Sequence, residues 1–290
     1  MSPPLEPRGY LTLATGRPAF LEMAVDMALS LRQHTELPIA IACDEALDSP
    51  ARERYGRVFD AVTRLPERFL GGRTRKYGVA EATPFGETVF LDADCIVLGP
   101  LDPLFGSLEQ ADLAFLGSQL GRDEDHNHHG FSTRWLMERF GLDRYLKTNS
   151  GIFAFRKEPA LEVMEAFRAC HEDELRRRLR WSILLGRWLG DEIAIGVVGG
   201  RLGLKPLPFP NTMYWPQEFD AIDLADPAKP LLHFIWPPSE ALLEELLDGM
   251  RARRAAAGVP GSGEEAWRAE AESLRRMKRR RRLLERVGWW

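Results

Sequence analysis

The sequence has 290 residues, of which 44% are hydrophobic and 28% charged, and its formal net charge is −4. This composition is ordinary for a soluble globular protein of one large α/β domain or two small ones, and it excludes neither an enzyme nor a binding protein. The three cysteines lie far apart without a CxxC motif, which argues against a disulfide framework and against a zinc cage. A reducing compartment fits this pattern best.

The first residues, MSPPLEPRGY, lack the basic start and the apolar stretch of a secretion signal. No run of about 18 apolar residues is present, although a membrane-spanning helix requires one. We therefore expect a protein that stays in the cytoplasm.

The N-terminal third is predicted to begin with a β-α-β unit. YLTLAT, residues 10–15, is typical of a short strand, and residues 21–34 place apolar side chains at spacings of three and four, which predicts an amphipathic helix. LPIAIAC, residues 37–43, is short and apolar, as expected of a buried parallel strand.

The same alternation continues towards the C-terminus. We predict a helix over 73–83, a strand over TVFLD, further strands over 111–116 and 151–155, and a long helix over 158–180. Repeated strand-helix alternation predicts an α/β fold with a mostly parallel sheet that is covered by helices on both faces.

The chain changes character after residue 232. PSEALLEELLDGMRARR is predicted to be a helix, and a stretch rich in Pro, Gly and Ser follows it, so we divide the chain into a domain over 8–250, a linker over 251–263 and a helical tail over 264–290. The tail contains nine Lys or Arg and five Asp or Glu, a net of +4, so the rest of the chain carries −8. The rest of the chain is therefore too acidic to favour nucleic-acid binding.

The tail is predicted to be a basic amphipathic helix. Its apolar stripe consists of Trp267, Ala271, Leu274, Met277, Leu284 and Val287, and Trp289 and Trp290 end the chain. Such a helix suits an anionic membrane surface, where each Lys or Arg contributes about 1 kcal/mol. The alternative is a helix that docks onto the rest of the protein or onto a partner.

Two carboxylates, Asp92 and Asp94, end the apolar run of FLDADCIV. On a continuing strand they point to the same face, at the edge where α/β sheets bind ligands. Neighbouring carboxylates repel each other unless a cation compensates, and Mg²⁺ and Mn²⁺ prefer oxygen ligands of this kind. The pattern favours a divalent metal site over the alternative, a turn in which both carboxylates accept backbone hydrogen bonds.

Several segments in order resemble the GT-A type of nucleotide-diphospho-sugar glycosyltransferase, in particular glycosyltransferase family 8, the group of glycogenin and the lipopolysaccharide galactosyltransferases. They are YLTLATG, TRKYGVAEATPF with TVFLDADCIVL, TNSGIFAFRK, GDEIAIGVV and LLHFIWPP, which together span about residues 8–240. The resemblance implies a GT-A catalytic domain over 8–250, with Asp92, Asp94 and His233 as ligands of Mn²⁺ or Mg²⁺. From the residues alone, a His beside apolar neighbours is more often a structural histidine, and the resemblance reverses this preference.

The sequence departs from the family directly after His233. Family members commonly have a Gly-x-x-Lys segment there, whose lysine contacts the diphosphate, whereas this chain has FIWPP. Arg73, Arg75 and Lys76 are the nearest replacements in sequence order, and a solvated helix face explains them equally well.

The remaining site residues follow from the same resemblance. The nucleotide is expected at Ala14, Thr15, Gly16 and Asp44, with Lys76 and Arg73, and the donor sugar at Asn149, Ser150, Gly151 and Asp191. Asp191 and Glu192 are expected near the reacting carbon, although the family has a glutamine where this chain has Glu192. Turn residues and helix N-caps explain the same positions without a ligand.

The segment DEDHNHH, residues 123–129, resembles a second metal cluster. Asp/His runs without helix or strand spacing are more often exposed flexible loops, which is the interpretation we favour. The alternative is a polar lid on the acceptor side.

Taken with the resemblance, these features predict a metal-dependent glycosyltransferase that moves a sugar from a nucleotide-sugar, with a UDP-sugar expected, to a hydroxyl on a glycan, a lipid-linked acceptor or a small molecule. The resemblance implies retention of the anomeric configuration. The alternative is a catalytically silent scaffold of the same fold that binds carbohydrate or nucleotide-sugar. It is favoured by the missing lysine and by Glu192.

Overall fold

The computed structural model describes residues 6–71, 74–181, 189–207, 211–261 and 263–286. The strands are β1 (Glu6–Ala14), β2 (Ile39–Cys43), β3 (Ala61–Arg64), β4 (Phe85–Leu91), β5 (Cys95–Val97), β6 (Leu113–Gly121), β7 (Asn127–His128), β8 (Phe131–Ser132), β9 (Arg144–Arg156), β10 (Met213–Tyr214) and β11 (Leu231–His233). The helices are α1 (Pro18–Leu31), α2 (Glu45–Tyr55), α3 (Val79–Ala82), α4 (Thr133–Phe140), α5 (Lys157–Ala169), α6 (Arg176–Arg178), α7 (Asp191–Leu202), α8 (Glu240–Ala256) and α9 (Glu264–Arg286).

The central sheet has six strands in the order β3-β2-β1-β4-β9-β6. β1 and β4 are parallel, and β6 runs antiparallel to β9 at the edge of the sheet. All five residues of β2 are buried, as expected of a strand that is covered on both faces. These features confirm the predicted α/β class with a mostly parallel sheet, helices and a C-terminal helix.

The described chain divides into two compact units. The first unit contains the described residues of Met1–Leu11, Thr63–Phe90 and Pro103–Pro210. Its core includes a row of aromatic rings in which Phe153 lies 4.8 Å from Phe90 and 4.7 Å from Phe115, measured between ring centroids. Helix α7 approaches β9 closely, because Gly196 leaves no side chain between the helix and the ring of Tyr145.

Strand β9 is longer than predicted and contains a bulge. Its pairing with β6 passes from Phe115 opposite Phe153 to Leu116 opposite Asn149, so β9 has extra residues there. The strand predicted over 151–155 began too late, because Asn149 and Ser150 already lie inside β9. Residue types that favour turns also favour bulges, since the backbone departs from regular strand pairing in both.

The second unit contains the described residues of Thr12–Val62, Leu91–Asp102 and Asn211–Trp290. It includes a small sheet in the order β10-β11-β5, in which β10 and β11 are parallel and β11 and β5 antiparallel. Helices α8 and α9 both pack against α1. This arrangement places the end of β11 beside the start of β5, where the two acidic residues lie.

Two predicted helices differ in detail from the structure. Residues 75–78 form a 3₁₀ helix and only Val79–Ala82 are α-helical, although the helix ends before Pro84 as predicted. The helix predicted over 158–180 runs as α5, passes through one π-helical segment, Cys170–Leu175, and continues as α6. Helix α8 extends to Ala256, into the segment assigned to the linker.

The first half of the tail helix docks within the second unit. Trp267 and Ala271 are fully buried and Leu274 is nearly so, whereas Met277 and Leu283 are 58% and 63% exposed. The docking alternative therefore describes this half of α9. Val287, Trp289 and Trp290 lie outside the described residues, and none of the described helices is long and apolar enough to cross a membrane.

Candidate functional site

Asp92, Asp94 and His233 lie together in the second unit, and we call them the Asp-x-Asp cluster. Nε2 of His233 is 3.2 Å from Oδ1 of Asp94 and 3.7 Å from Oδ2 of Asp92. His233 is buried, whereas both carboxylates are partly exposed. Residues that are more than 130 positions apart in the sequence therefore converge as the family resemblance implied.

Strand pairing produces this convergence. His233 is the last residue of β11 and lies opposite Cys95, the first residue of β5. The amide of Phe234 donates to the carbonyl of Asp94 at 2.9 Å, which continues the pairing by one step. Backbone hydrogen bonds between β11 and β5 therefore hold the imidazole beside the acidic turn.

An open cleft borders the two carboxylates. It has a volume of about 210 Å³ and is lined by Leu13, Thr15, Phe20, Asp92, Ala93 and Asp94. Two carboxylates and a neutral imidazole form a donor set that fits Mn²⁺, since imidazole is a poorer ligand for Mg²⁺. Cys95 is a further candidate ligand, since its Sγ lies within 4.8 Å of ligand atoms of Asp94 and His233. The sequence analysis did not identify it.

The turn after β1 forms one wall of this cleft. Gly16 has φ +80°, a conformation that glycine adopts without strain, and its amide donates to Oδ2 of Asp44. The other carboxylate oxygen of Asp44 accepts from the amide of Leu47 at 3.1 Å and so caps α2. Ala14 is buried, whereas Thr15 contributes to the cleft.

Helix α9 carries a third carboxylate, Glu270, that interacts electrostatically with the Asp-x-Asp cluster. Burial raises the pKa of Glu270, and the negative charge of Asp94 raises it further, while Arg17 acts in the opposite direction. Phe234 packs edge-on against Trp267 with 5.1 Å between ring centroids. Phe234, the residue after His233, is therefore covered by the tail helix, a contact that sequence patterns could not reveal.

In the first unit, Lys76, Ser150 and Asp191 form a second polar group, which we call the Ser150 cluster. The hydroxyl of Ser150 donates to Oδ2 of Asp191 at 2.9 Å, and Nζ of Lys76 lies 3.4 Å from the same oxygen. Nζ of Lys76 also donates to Oγ and to the carbonyl of Ser150, at 2.9 and 3.1 Å. Lys76 is therefore not a solvated helix-face residue, whereas Arg73 lies outside the described residues.

The bulge in β9 and the start of α7 shape this cluster. Oδ1 of Asn149 accepts from the amide of Gly151 at 2.9 Å, a local bond that stabilises the bulge. Asp191 is the first residue of α7, where a negative charge is favoured by the helix dipole, but the N-cap position belongs to Gly190. Asp191 is thus placed by the helix and held by Ser150 and Lys76.

Glu192 belongs to a third group, the histidine cluster of His128, His129 and Glu192. Nε2 of His128 lies 3.3 Å from Oε2 of Glu192, and His129 contacts the same oxygen through its Nε2. Oε1 of Glu192 accepts from the amide of Ser150 at 2.9 Å. Burial alone would raise the pKa of Glu192, but the two histidines hold the pKa of this carboxyl well below its usual range.

The segment 123–129 is therefore not an exposed flexible loop at its C-terminal end. Its last residues enter the β7–β8 hairpin, where His128 is buried and contacts the hydroxyl of Tyr145 through Nδ1 at 2.8 Å. For His128 and His129 the interpretation was wrong, because the partners of His128, Tyr145 and Glu192, lie 17 and 64 residues further along the chain, whereas residues 123–127 are exposed as expected.

No protein-family model matches the sequence, and no curated protein matches it. Among solved structures, the galactosyltransferase LgtC in complex with donor and acceptor sugar analogues aligns with a TM-score of 0.51 and 12% identity, over 92% of this chain and 96% of that one. An active-site mutant of LgtC aligns with the same values.

The glycosyltransferase GlyE of Streptococcus pneumoniae TIGR4 aligns with a TM-score of 0.48 and 14% identity, over 78% of this chain and 54% of that one. The chain thus spans about half the length of the GlyE chain. The alignment with LgtC, which covers nearly all of both chains, shows that this chain has the GT-A fold.

Proposed function

We propose that this protein is a metal-dependent glycosyltransferase that transfers a sugar from a nucleotide-diphosphate-sugar to a hydroxyl acceptor. The observation that carries the proposal is the convergence of Asp92, Asp94 and His233 beside an open cleft in a chain with the GT-A fold. The LgtC structure aligned with this chain contains donor and acceptor sugar analogues, which supports the same class of substrate.

The Asp-x-Asp cluster would hold Mn²⁺, or Mg²⁺, on the diphosphate. The metal would supply positive charge that stabilises the departing nucleoside diphosphate. His233 is fixed by the β5–β11 pairing, so its Nε2 is oriented before any ligand binds, which lowers the entropy cost of assembling the site.

The nucleoside would bind in the cleft beside Thr15 and Gly16. The glycine conformation permits close approach of a ligand to the backbone, and Asp44 holds this turn by accepting from the Gly16 amide. The aromatic ring of Phe20 lines the same cleft and offers an apolar face for a base. A UDP-sugar is the donor that we propose, from the family-8 resemblance.

The donor sugar would be bound by Asn149, Ser150, Gly151 and Asp191. Ser150 and Lys76 orient the Asp191 carboxylate, which suits hydrogen bonding to sugar hydroxyls. Glu192 has its two oxygens directed to the Ser150 amide and to the histidines. We therefore assign binding and orientation to Asp191 and positioning to Glu192, and we propose retention of the anomeric configuration without assigning a nucleophile.

The acceptor would be a glycan, a lipid-linked sugar or a small molecule. A lipid-linked acceptor is supported by the exposed distal part of α9, where Met277 and Leu283 lie among basic residues. We propose a cytoplasmic protein that contacts an anionic membrane through this part of the helix. Replacing Met277 and Leu283 by serine should reduce sedimentation with vesicles containing phosphatidylserine, and undiminished sedimentation would reject the contact.

The proposal is tested by turnover. Purified protein is incubated with labelled UDP-sugars and GDP-sugars, with Mn²⁺ or EDTA, and with glycan and lipid-linked acceptors. We expect metal-dependent release of nucleoside diphosphate with at least one donor, and NMR of the product should show the donor's anomeric configuration. If nucleotide-sugars bind with Mn²⁺ but neither hydrolysis nor transfer occurs, the protein is a scaffold of this fold instead.

A further inference from the structure

We propose that the histidine cluster, His128, His129 and Glu192, is a zinc-binding site. Each residue offers one ligand atom, and these atoms all lie within 4.8 Å of one another. The three residues belong to the first unit, and none of them is part of the Asp-x-Asp cluster. The inference therefore goes beyond the proposed transferase and does not depend on it.

The donor set has the chemistry of a zinc site. Two imidazole nitrogens and one carboxylate oxygen form a recurrent three-ligand set for Zn²⁺, with water or a fourth ligand completing the tetrahedron. Nε2 of His128 and Oε2 of Glu192 are 3.3 Å apart. Two ligands about 2.0–2.1 Å from a tetrahedral ion are separated by about 3.3–3.4 Å, so this edge already has the required length. Nε2 of His129 contacts the same oxygen directly, so the ring of His129 would have to move away from Oε2 to admit the ion.

The surroundings of His128 orient one ring nitrogen towards such an ion. Its Nδ1 lies 2.8 Å from the hydroxyl of Tyr145, and a zinc-ligating histidine typically donates its second ring N–H to a partner of this kind. On the opposite side, Nε2 faces two oxygens at 3.3 Å, Oε2 of Glu192 and the carbonyl of Thr148. Both distances are long for N–H···O hydrogen bonds, whereas several oxygens around one nitrogen suit a shared cation.

The backbone of His129 provides an independent observation. With φ +53°, it is the one non-glycine residue with positive φ in the described part of the chain. This conformation is unfavourable for a side chain with a Cβ, and such strain is retained where the structure depends on it. In this conformation the imidazole of His129 contacts Glu192. The ring centroids of His128 and His129 are 4.8 Å apart.

A zinc ion at this position would fasten the β7–β8 hairpin to the first turn of α7. Oε1 of Glu192 would remain available for the amide of Ser150, so the contact with the Ser150 cluster would be kept. The ion would therefore stabilise the first unit and fix the orientation of Glu192.

The test measures zinc directly. Metal-free protein is titrated with Zn²⁺ against a chromophoric chelator, and bound zinc is counted by inductively coupled plasma mass spectrometry. Asp94→Asn is used as the background, because it removes one candidate ligand from the Asp-x-Asp cluster. We expect one zinc per chain on this background, and at least tenfold weaker binding after His129→Gly. X-ray absorption should show nitrogen and oxygen ligands only.

Two variants separate metal binding from folding. His129→Gly accepts φ +53° without strain, which offsets part of the stability lost with the His129–Glu192 contact, so the metal-free variant should stay folded while losing the rise in melting temperature that zinc causes. His126→Ala removes an exposed histidine of the same segment and should bind zinc like the parent. The proposal is overturned if the Asp94→Asn protein binds no zinc at micromolar concentrations, or if adding His129→Gly to it leaves zinc binding equally tight.

Discussion

The docking of the tail helix depends on one fully buried indole. Trp267 donates from Nε1 to Oδ2 of Asp26 at 2.9 Å and packs edge-on against Phe234. Asp26 is itself buried, and its other oxygen accepts from Nε of Arg254 at 2.5 Å. Removing the indole therefore leaves a cavity and an incompletely paired buried carboxylate within the second unit.

Two substitutions of Trp267 separate these effects. Trp267→Ala removes the whole ring, and we expect a loss of about 3–5 kcal/mol in the free energy of unfolding, typical of large-to-small changes in a core. Trp267→Phe keeps an aromatic ring next to Phe234 but deletes the donor to Asp26. The expected loss is about 1–3 kcal/mol, the cost of leaving one buried polar group without its partner.

The assay is urea unfolding followed by far-UV circular dichroism, with melting temperature as a second measure. A loss of about 2 kcal/mol corresponds to roughly 4–8 °C for a chain of this size class. The matched control is Trp181→Ala, since Trp181 is 66% exposed and its removal should change stability by less than about 0.5 kcal/mol. Equal losses for Trp267→Ala and Trp181→Ala would refute the docked position of α9.

Three further predictions concern buried positions. Burial raises the pKa of Cys43 and of Cys170 to about 12, so neither thiol should react with Ellman's reagent at pH 8 until denaturant is added; reaction in the native state would contradict their burial. Because the unfolded chain releases these protons from about pH 9 whereas the folded chain keeps them, the free energy of unfolding should fall as pH rises from 9 towards 12. Gly196→Ala should lower the melting temperature although alanine favours helices, because its Cβ would clash with the ring of Tyr145. The control is Gly106→Ala, which has open space at its Cβ and should leave the melting temperature nearly unchanged. A higher melting temperature for Gly196→Ala would contradict the close packing of α7 on β9.

Much of the fold follows from local sequence patterns. The periodicities of β1, α1 and β2 predicted the opening β-α-β unit, because each segment buries one continuous apolar face or run. Prediction failed where long-range pairing decides the structure. The Asn-Ser-Gly segment is typical of a turn, yet β6 holds it inside β9 as a bulge.

The candidate site likewise contains residues that the sequence predicted and contacts that it did not. Asp92 and Asp94 could be chosen from their place after an apolar strand, and His233 from family resemblance, and the three lie together. No local pattern indicates that His128 contacts Glu192, or that the charge of Asp94 acts on Glu270. Both interactions depend on how helices α7 and α9 pack, which is a property of tertiary structure.

The central claim is that the Asp-x-Asp cluster binds a divalent ion that engages a nucleoside diphosphate. Isothermal titration of UDP into the protein, with Mn²⁺ and with EDTA, tests it most directly. We predict that Mn²⁺ tightens binding at least tenfold, about 1.4 kcal/mol, in the parent and in Asp220→Asn, which changes an exposed carboxylate, but not in Asp94→Asn. Binding that is indifferent to Mn²⁺, or an undiminished effect in Asp94→Asn, would contradict the account.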